Sequence, residues 1–278
     1  MAVNPGASGS IGRQLPALVN LREIQAAPAG QPLVRDVWLD GIQVMAARSV
    51  PGLAEGLYLA AKGGHNKESH NHNDVGNFMV YMDGRPVIID VGVGSYTAKT
   101  FSGRRYEIWT MQSAYHNLPT INGVMQKDGR EFAASDVNYT SGRSFAELSL
   151  DIAGAYPAEA GVGSWKRTIR LNRGREVRVK DDYQLTRLDG GLTLSLITPC
   201  TVTLEEPGRI TLKETNPGGE PFSLRVFYEA GKLTAEVENI TLEDSRLKSA
   251  WGEYLSRIVL RALPEAPLRG NWTLRVVQ

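Results

Sequence analysis

Cysteine is almost absent from this chain. The single thiol, Cys200, among 278 residues excludes a disulfide framework and any zinc site built on cysteines. No apolar run approaches the ~20 residues that a membrane-spanning helix needs. The opening stretch "MAVNPGASGSIGRQLPALVNL" lacks the basic start and apolar core of a signal peptide. An excess of charge is missing as well: 31 basic residues face 30 acidic ones, for a net charge of +1. No basic run stands out, so nucleic acid has no evident electrostatic foothold. Histidine is scarce too, with only His65, His70, His72 and His116. Three of these fall within one short stretch, "GGHNKESHNHNDVGN".

A chain of this length buries roughly 75% of its unfolded surface and builds a core without staples. Residues 1–35, rich in Ala, Pro, Gly and Gln, read as a linker or arm with one short helix near Leu15–Ala26. From residue 36 to 278 the texture is that of strands. "VWLDGIQVMAARS" alternates around an Asp-Gly turn, and "NFMVYMDGRPVIIDVGV" is a second hairpin around Asp83-Gly84. Short alternating runs follow at 144–152, 165–171, 176–185, 191–198, 222–229, 233–242, 254–263 and 271–278, separated by Gly, Pro, Asn and Asp. This spacing predicts a large all-β antiparallel sandwich. Residues 95–119 are less regular and read as a long functional loop. The tryptophans at 109, 165, 251 and 272 read first as packing residues.

On a strand, positions i and i+2 share a face, so His70 and His72 would project side by side. Whether Asp90 joins them depends on the hairpin. A two-residue turn pairs Met82 with Arg85 and turns Asp90 away from His72. A three-residue loop, Met82-Asp83-Gly84, pairs Tyr81 with Arg85 and brings Asp90 to the face of His72. Glycine at the last loop position favours the second register, and a bulge near Gly76 would also reset the phase. Asp90 follows the apolar run "VII", where an unpaired carboxylate is costly unless it meets a cation. With His116 from the loop, two imidazole nitrogens and a carboxylate oxygen plus water suit tetrahedral Zn2+. Asp74 stands close enough in sequence to orient a ring nitrogen.

The run "GLYLAAKGGHNKESHNHNDVGNFMVYMDGRPVIIDVGV" and the later "YTAKTFSGRRYEIWTMQSAYHNLPTING" resemble the C-terminal β-sandwich domain of the heparinase II/III-like polysaccharide lyases. The close likeness covers about residues 36–135. It implies that His70 lies in the active cleft and that His72, Asp90 and His116 hold a structural zinc. It also implies that a loop tyrosine lines the cleft: Tyr106 is the better match and Tyr96 the second. Arg104 and Arg105 would meet a uronate carboxylate in bidentate fashion, with Trp109 beside them. The chemistry implied is β-elimination on an acidic polysaccharide, with the protein in the periplasm, cell envelope or medium.

One departure matters. Members of this family pair the sandwich with an N-terminal helical toroid that carries further catalytic groups, and nothing here reads as a toroid. The sequence thus leaves open a portion of a longer product, a half that pairs with a toroid chain, and a sugar-binding module without catalysis. Two other metalloenzyme patterns fit poorly. A cupin wants a glutamate where Gly76 stands, and a metallo-β-lactamase-like hydrolase wants a histidine at Val75.

Overall fold

The computed structural model describes residues 11–27, 30, 31, 33–214 and 221–278. The chain divides into two compact units, 1–33 and 34–278. In the first, the helices Ile11–Val19 and Leu21–Ala26 occupy the region where one helix is predicted.

The second unit is built of antiparallel strands in three main sheets, the layered sandwich that the alternation predicts. A five-stranded sheet runs Asp36–Leu39, Val44–Arg48, Leu57–Lys62, Phe78–Met82, Arg85–Ile88 in sequence order, a simple meander. A four-stranded sheet is ordered Leu233–Thr241, Tyr254–Ala262, Leu192–Thr198, Pro119–Ile121. An eight-stranded sheet centres on Val162–Asn172, Glu176–Leu185 and Arg269–Val277. Their inner faces form one continuous apolar core. The strand Val162–Asn172 shows how alternation drives this. Trp165, Ile169 and Leu171 are fully buried, and Lys166 between them is exposed. Trp165 stacks on Tyr183 at 5.2 Å and meets Trp272 edge-on at 5.4 Å. Burying side chains of this size is worth roughly 1.5–3 kcal/mol each. Trp109 and Trp251 instead pack on a smaller cluster around Ile89, Val91, Ile197 and Leu255.

Both predicted hairpins form, with corrections. In the first, the Asp-Gly pair opens a four-residue loop, a 3-10 turn Asp40–Ile42 followed by left-handed Gln43 (φ 51°). In the second, Met82 pairs with Arg85, so the loop has two residues and not three. Asp83 (φ 51°) and Gly84 (φ 75°) are both left-handed, which matches the twist of the flanking strands better than a longer loop does. The phase is then reset by a bulge: Tyr81 pairs with Pro86, but Val80 pairs with Ile88. Val87 and Ile88 are consecutive and both buried, as an extra residue in a strand requires. The bulge thus falls at Val87, not at Gly76.

Candidate metal centre and cleft

The segment 70–77 is a loop, not a strand, so His70 and His72 are not aligned by strand alternation. His70 turns the chain with a left-handed backbone (φ 58°) and stays exposed, while His72 points into the protein. The loop owes its shape to polar groups buried under it. Val75 N–H donates to Gln126 Oε1 at 3.0 Å, and Gln126 Nε2 donates back to the Val75 carbonyl at 2.8 Å. Asn73 N–H donates to the Met111 carbonyl at 2.9 Å. At the loop's end Gly76 (φ 85°) passes so close to Ile152 that a Cβ would meet its Cγ2 at 2.7 Å. Only glycine fits that path.

Residues 95–116 wind through four short 3-10 turns: Ala98–Phe101, Arg105–Glu107, Trp109–Met111 and Ser113–Tyr115. Asp244 fastens the start of the loop. Its Oδ2 accepts from Ser95 N–H at 2.8 Å, while its Oδ1 caps the helix Ser245–Trp251. The loop delivers His116 to the floor.

There the structure brings His72, Asp90 and His116 together. Their ligand atoms all lie within 4.8 Å of one another. His116 Nδ1 is 3.2 Å from Asp90 Oδ2, a hydrogen-bonding distance that fixes the ring. His116 is fully buried, and its Nε2 has no hydrogen-bond partner among the described residues. A buried ring nitrogen of this kind costs free energy unless something binds it. Two nitrogens, one carboxylate oxygen and an unfilled ring position fit a metal ion.

The electrostatics fit as well. Burial pushes the His72 imidazole below its ordinary value, against the pull of Asp90, which favours the neutral form a metal ligand needs. Burial would raise Asp90, but the His116 charge and hydrogen bond, with His72 behind them, hold it well below the carboxylate range. Burial would lower His116, yet Asp90 outweighs it and the net direction is up.

Asp74 does not contact a ring nitrogen. Its carboxylate accepts from Lys62 Nζ at 2.8 Å and acts on His116 only through its charge. The contact to the ligands comes from Asn77, whose Nδ2 donates to Asp90 Oδ2 at 2.9 Å and lies 3.4 Å from His116 Nδ1. Asn77 Oδ1 accepts from Asn117 N–H at 3.0 Å. Asn117 in turn donates to the Phe78 and Ile89 carbonyls at 2.7 and 2.9 Å and accepts from Ile197 N–H at 2.8 Å. Beneath them lies Arg167, fully buried. It donates to the Gly76 and Asn117 carbonyls at 3.1 and 2.9 Å and forms a bidentate pair with Asp181, both bonds 2.7 Å. Asn77, Asn117 and Arg167 escape a reading that looks only for metal ligands and exposed charge. Alternation carries a signal for the last: Arg167 shares the phase of Trp165 and Ile169.

Among the candidate cleft residues, Tyr96 meets His70. The His70 and Tyr96 rings stack at 6.2 Å with 14° between planes. Tyr106 Oη accepts from Asn71 Nδ2 at 3.3 Å. Arg105 donates to the Asn71 carbonyl at 2.9 Å and the Thr100 carbonyl at 3.0 Å, so it ties loop to loop. Arg104 is exposed and grips Glu107, with Nε 3.1 and 3.0 Å from the two carboxylate oxygens. Trp109 meets Tyr115 edge-on at 5.1 Å and, with it, lines a groove of about 750 Å3 along the strand Leu233–Thr241.

An antiparallel sandwich with a His/Asp/His cluster under an irregular, tyrosine-bearing loop defines a narrow class of protein. The family described as heparinase II/III-like, C-terminal, matches residues 41–247, and the chain belongs to it. No curated protein sequence matches the chain. Among solved structures, the heparan sulfate lyase HepC from Pedobacter heparinus superposes with a TM-score of 0.70 at 15% identity, covering 96% of this chain and 40% of that one. A crystal structure of a heparinase III superposes with a TM-score of 0.66 at 15% identity, over 89% of this chain and 37% of that one. At such identity the likeness is one of fold. The chain spans about 40% of the length of these structures.

Proposed function

We propose that this chain is the β-sandwich part of a polysaccharide lyase that cleaves uronic acid-containing polymers, of the heparin, heparan sulfate or alginate kind, by β-elimination. The observation that carries this reading is the His72/Asp90/His116 cluster in a chain of this family, with Tyr96 stacked on His70 and Tyr106 bonded to the neighbouring Asn71. A Zn2+ ion held by those three residues would supply a structural cross-link between the HNHND loop, the strand end at Asp90 and the loop 95–116. It would not activate water.

The reaction removes the proton beside the uronate carboxylate, forms a carbon–carbon double bond and expels the glycosidic oxygen, which takes up a proton. Tyr106, held by Asn71, is placed to exchange a proton with the sugar, with Tyr96 as the alternative. His70, exposed and steadied by Tyr96, is placed to act as base or to balance the charge that builds on the carboxylate. Arg104 can trade Glu107 for a uronate, since an exposed ion pair is cheap to exchange. Arg105 and Trp109 shape the cleft wall. The remaining catalytic groups would come from a helical toroid domain, and residues 1–35 would serve as its connector to the sandwich at 36–278. The setting would be the periplasm, cell envelope or medium.

The test is the ultraviolet absorbance of the unsaturated product on incubation with heparan sulfate, heparin and alginate, with and without a toroid-containing partner. Product that falls at least tenfold with Tyr106→Phe or His70→Ala is the expected result. Binding without product under every condition overturns catalysis. It would leave the second reading, an acidic-polysaccharide-binding module.

A further inference from the structure

The near-zero net charge of the chain hides a one-sided distribution. Arg170, Arg178 and Arg275 occupy one rung across three adjacent strands of the eight-stranded sheet, paired Arg170 with Arg178 and Arg178 with Arg275. All three project from the outer face, because their neighbours in each strand are buried core residues such as Ile169, Val179 and Leu274. Lys166, Lys180 and Arg269 share that phase and are exposed, and Arg175 stands in the connecting turn. Against these seven basic residues stand three outward acidic groups, Glu176 and Asp182 on the same strands and Glu147 on the adjoining one, in a chain whose whole net charge is +1.

The arginines are held in place. Glu176 is buried and serves two of them, at 2.5 Å from Arg178 and 2.6 Å from Arg275. The Arg170 guanidinium lies 3.9 Å from the centre of the Phe145 ring and 2.9 Å from Glu147. A guanidinium has five N–H donors, so each of the three keeps donors free for a ligand. The rung borders a shallow depression of about 410 Å3, where Thr168 and Asn172 add uncharged polar groups.

We propose that this outer face is a second, non-catalytic binding surface for a linear acidic polysaccharide, on the side of the sheet opposite the metal centre. Strands lie ~4.8 Å apart, so Arg170 and Arg275 are roughly 10 Å apart across the sheet. An extended polyanion bridges that distance and a single small anion does not. The two aromatic rings nearest the rung, Phe145 and Phe227, are covered by Arg170 and Arg275. The face therefore lacks the open stacking platforms on which single-stranded nucleic acid depends. The choice of polysaccharide rests on the lyase reading above; the basic face does not.

The experiment uses the full 278-residue chain and the triple variant Lys166→Glu, Arg175→Glu, Lys180→Glu, which leaves the partners of Glu176 untouched. A control, Lys232→Glu, Lys248→Glu, Arg261→Glu, makes the same change in net charge elsewhere. Affinity for long-chain heparin is measured across a salt series, with duplex DNA of equal charge as competitor and thermal melts to check folding. The expected result is at least tenfold weaker heparin binding and a flatter salt dependence in the first variant alone. The parent should prefer heparin to DNA. Equal loss in both triple variants, no loss in either, or equal competition by DNA overturns the proposal. A chain that makes no unsaturated product even with a toroid-containing partner, but shows the expected binding pattern, sinks the lyase reading and leaves this one standing.

Discussion

Asn77 turns its amide nitrogen toward Asp90 and His116 and its amide oxygen toward Asn117. It fixes the Asp90 oxygen that also faces His116 Nδ1. Groups that orient metal ligands in this way are typically worth 10–100-fold in metal affinity. We expect Asn77→Ala to weaken zinc binding by roughly that factor in a chelator competition, and His72→Ala or Asp90→Ala to abolish it. Equal zinc content in all the variants would remove the metal centre. Asn117 is different in kind. Its side chain satisfies two buried carbonyls and one buried amide, and each orphaned group costs about 1–3 kcal/mol. Asn117→Ala should therefore lose on the order of 4 kcal/mol in denaturant unfolding, whether or not metal is present. The histidines and Asp90 were legible in the sequence because their residue types announce their chemistry. Asn77 and Asn117 were not, since an amide gains its role only from partners 13 to 80 positions away.

Strand elements were legible because alternation and turn residues mark them. All eight short runs named between 144 and 278 correspond to strands displaced by at most three residues. Two of the missed strands show the limit. Ser135–Ser141 and Thr201–Glu206 sit at the two edges of the eight-stranded sheet, where partial exposure erases the polar–apolar contrast. The bulge at Val87 was hidden for another reason: an added residue leaves no mark in a run that is apolar throughout. Glycines at two ends of one hairpin separate turn strain from packing. Gly84 (φ 75°) has only Ala54 Cβ nearby, at 3.4 Å, whereas Gly76 (φ 85°) has Ile152 at 2.7 Å. A left-handed L-residue costs about 1–2 kcal/mol. We expect Gly84→Ala to lose about that much stability and keep its metal. Gly76→Ala should lose more, because Ile152 must move, and should bind metal more weakly because the HNHND loop shifts. Equal effects on metal affinity would show that the loop path does not set the site.

For the whole molecule, composition concealed a local excess: in a chain of net charge +1, strand phase gathers seven basic residues on the outer side of three adjacent strands, which no linear count can show. The metal centre also gives the whole molecule a pH dependence whose sign depends on the metal. Without metal, His116 has its pKa raised above the ordinary 6.5 because the Asp90 charge outweighs burial. A raised folded-state value adds stability that is complete below the unfolded pKa and is lost as pH rises through the folded one. Asp90, held below its ordinary 3.8, adds stability above that value and loses it only in stronger acid. Through His116 the metal-free chain should therefore lose stability as pH climbs past neutrality, while His72, its pKa lowered by burial, contributes in the opposite sense in acid. Metal reverses the slope. Binding must displace the proton from His116, while His72, its pKa lowered chiefly by burial, is already neutral. The stabilisation that metal adds should then grow with pH across the range in which the chelated chain weakens. Thermal melts of zinc-loaded and chelator-treated protein, taken every half unit from pH 5 to about pH 8.5, should diverge steadily upward. Curves that stay parallel across that range would mean that the His116–Asp90 pair does not exchange its proton for a metal ion, and the cluster would then be an internal ion pair only.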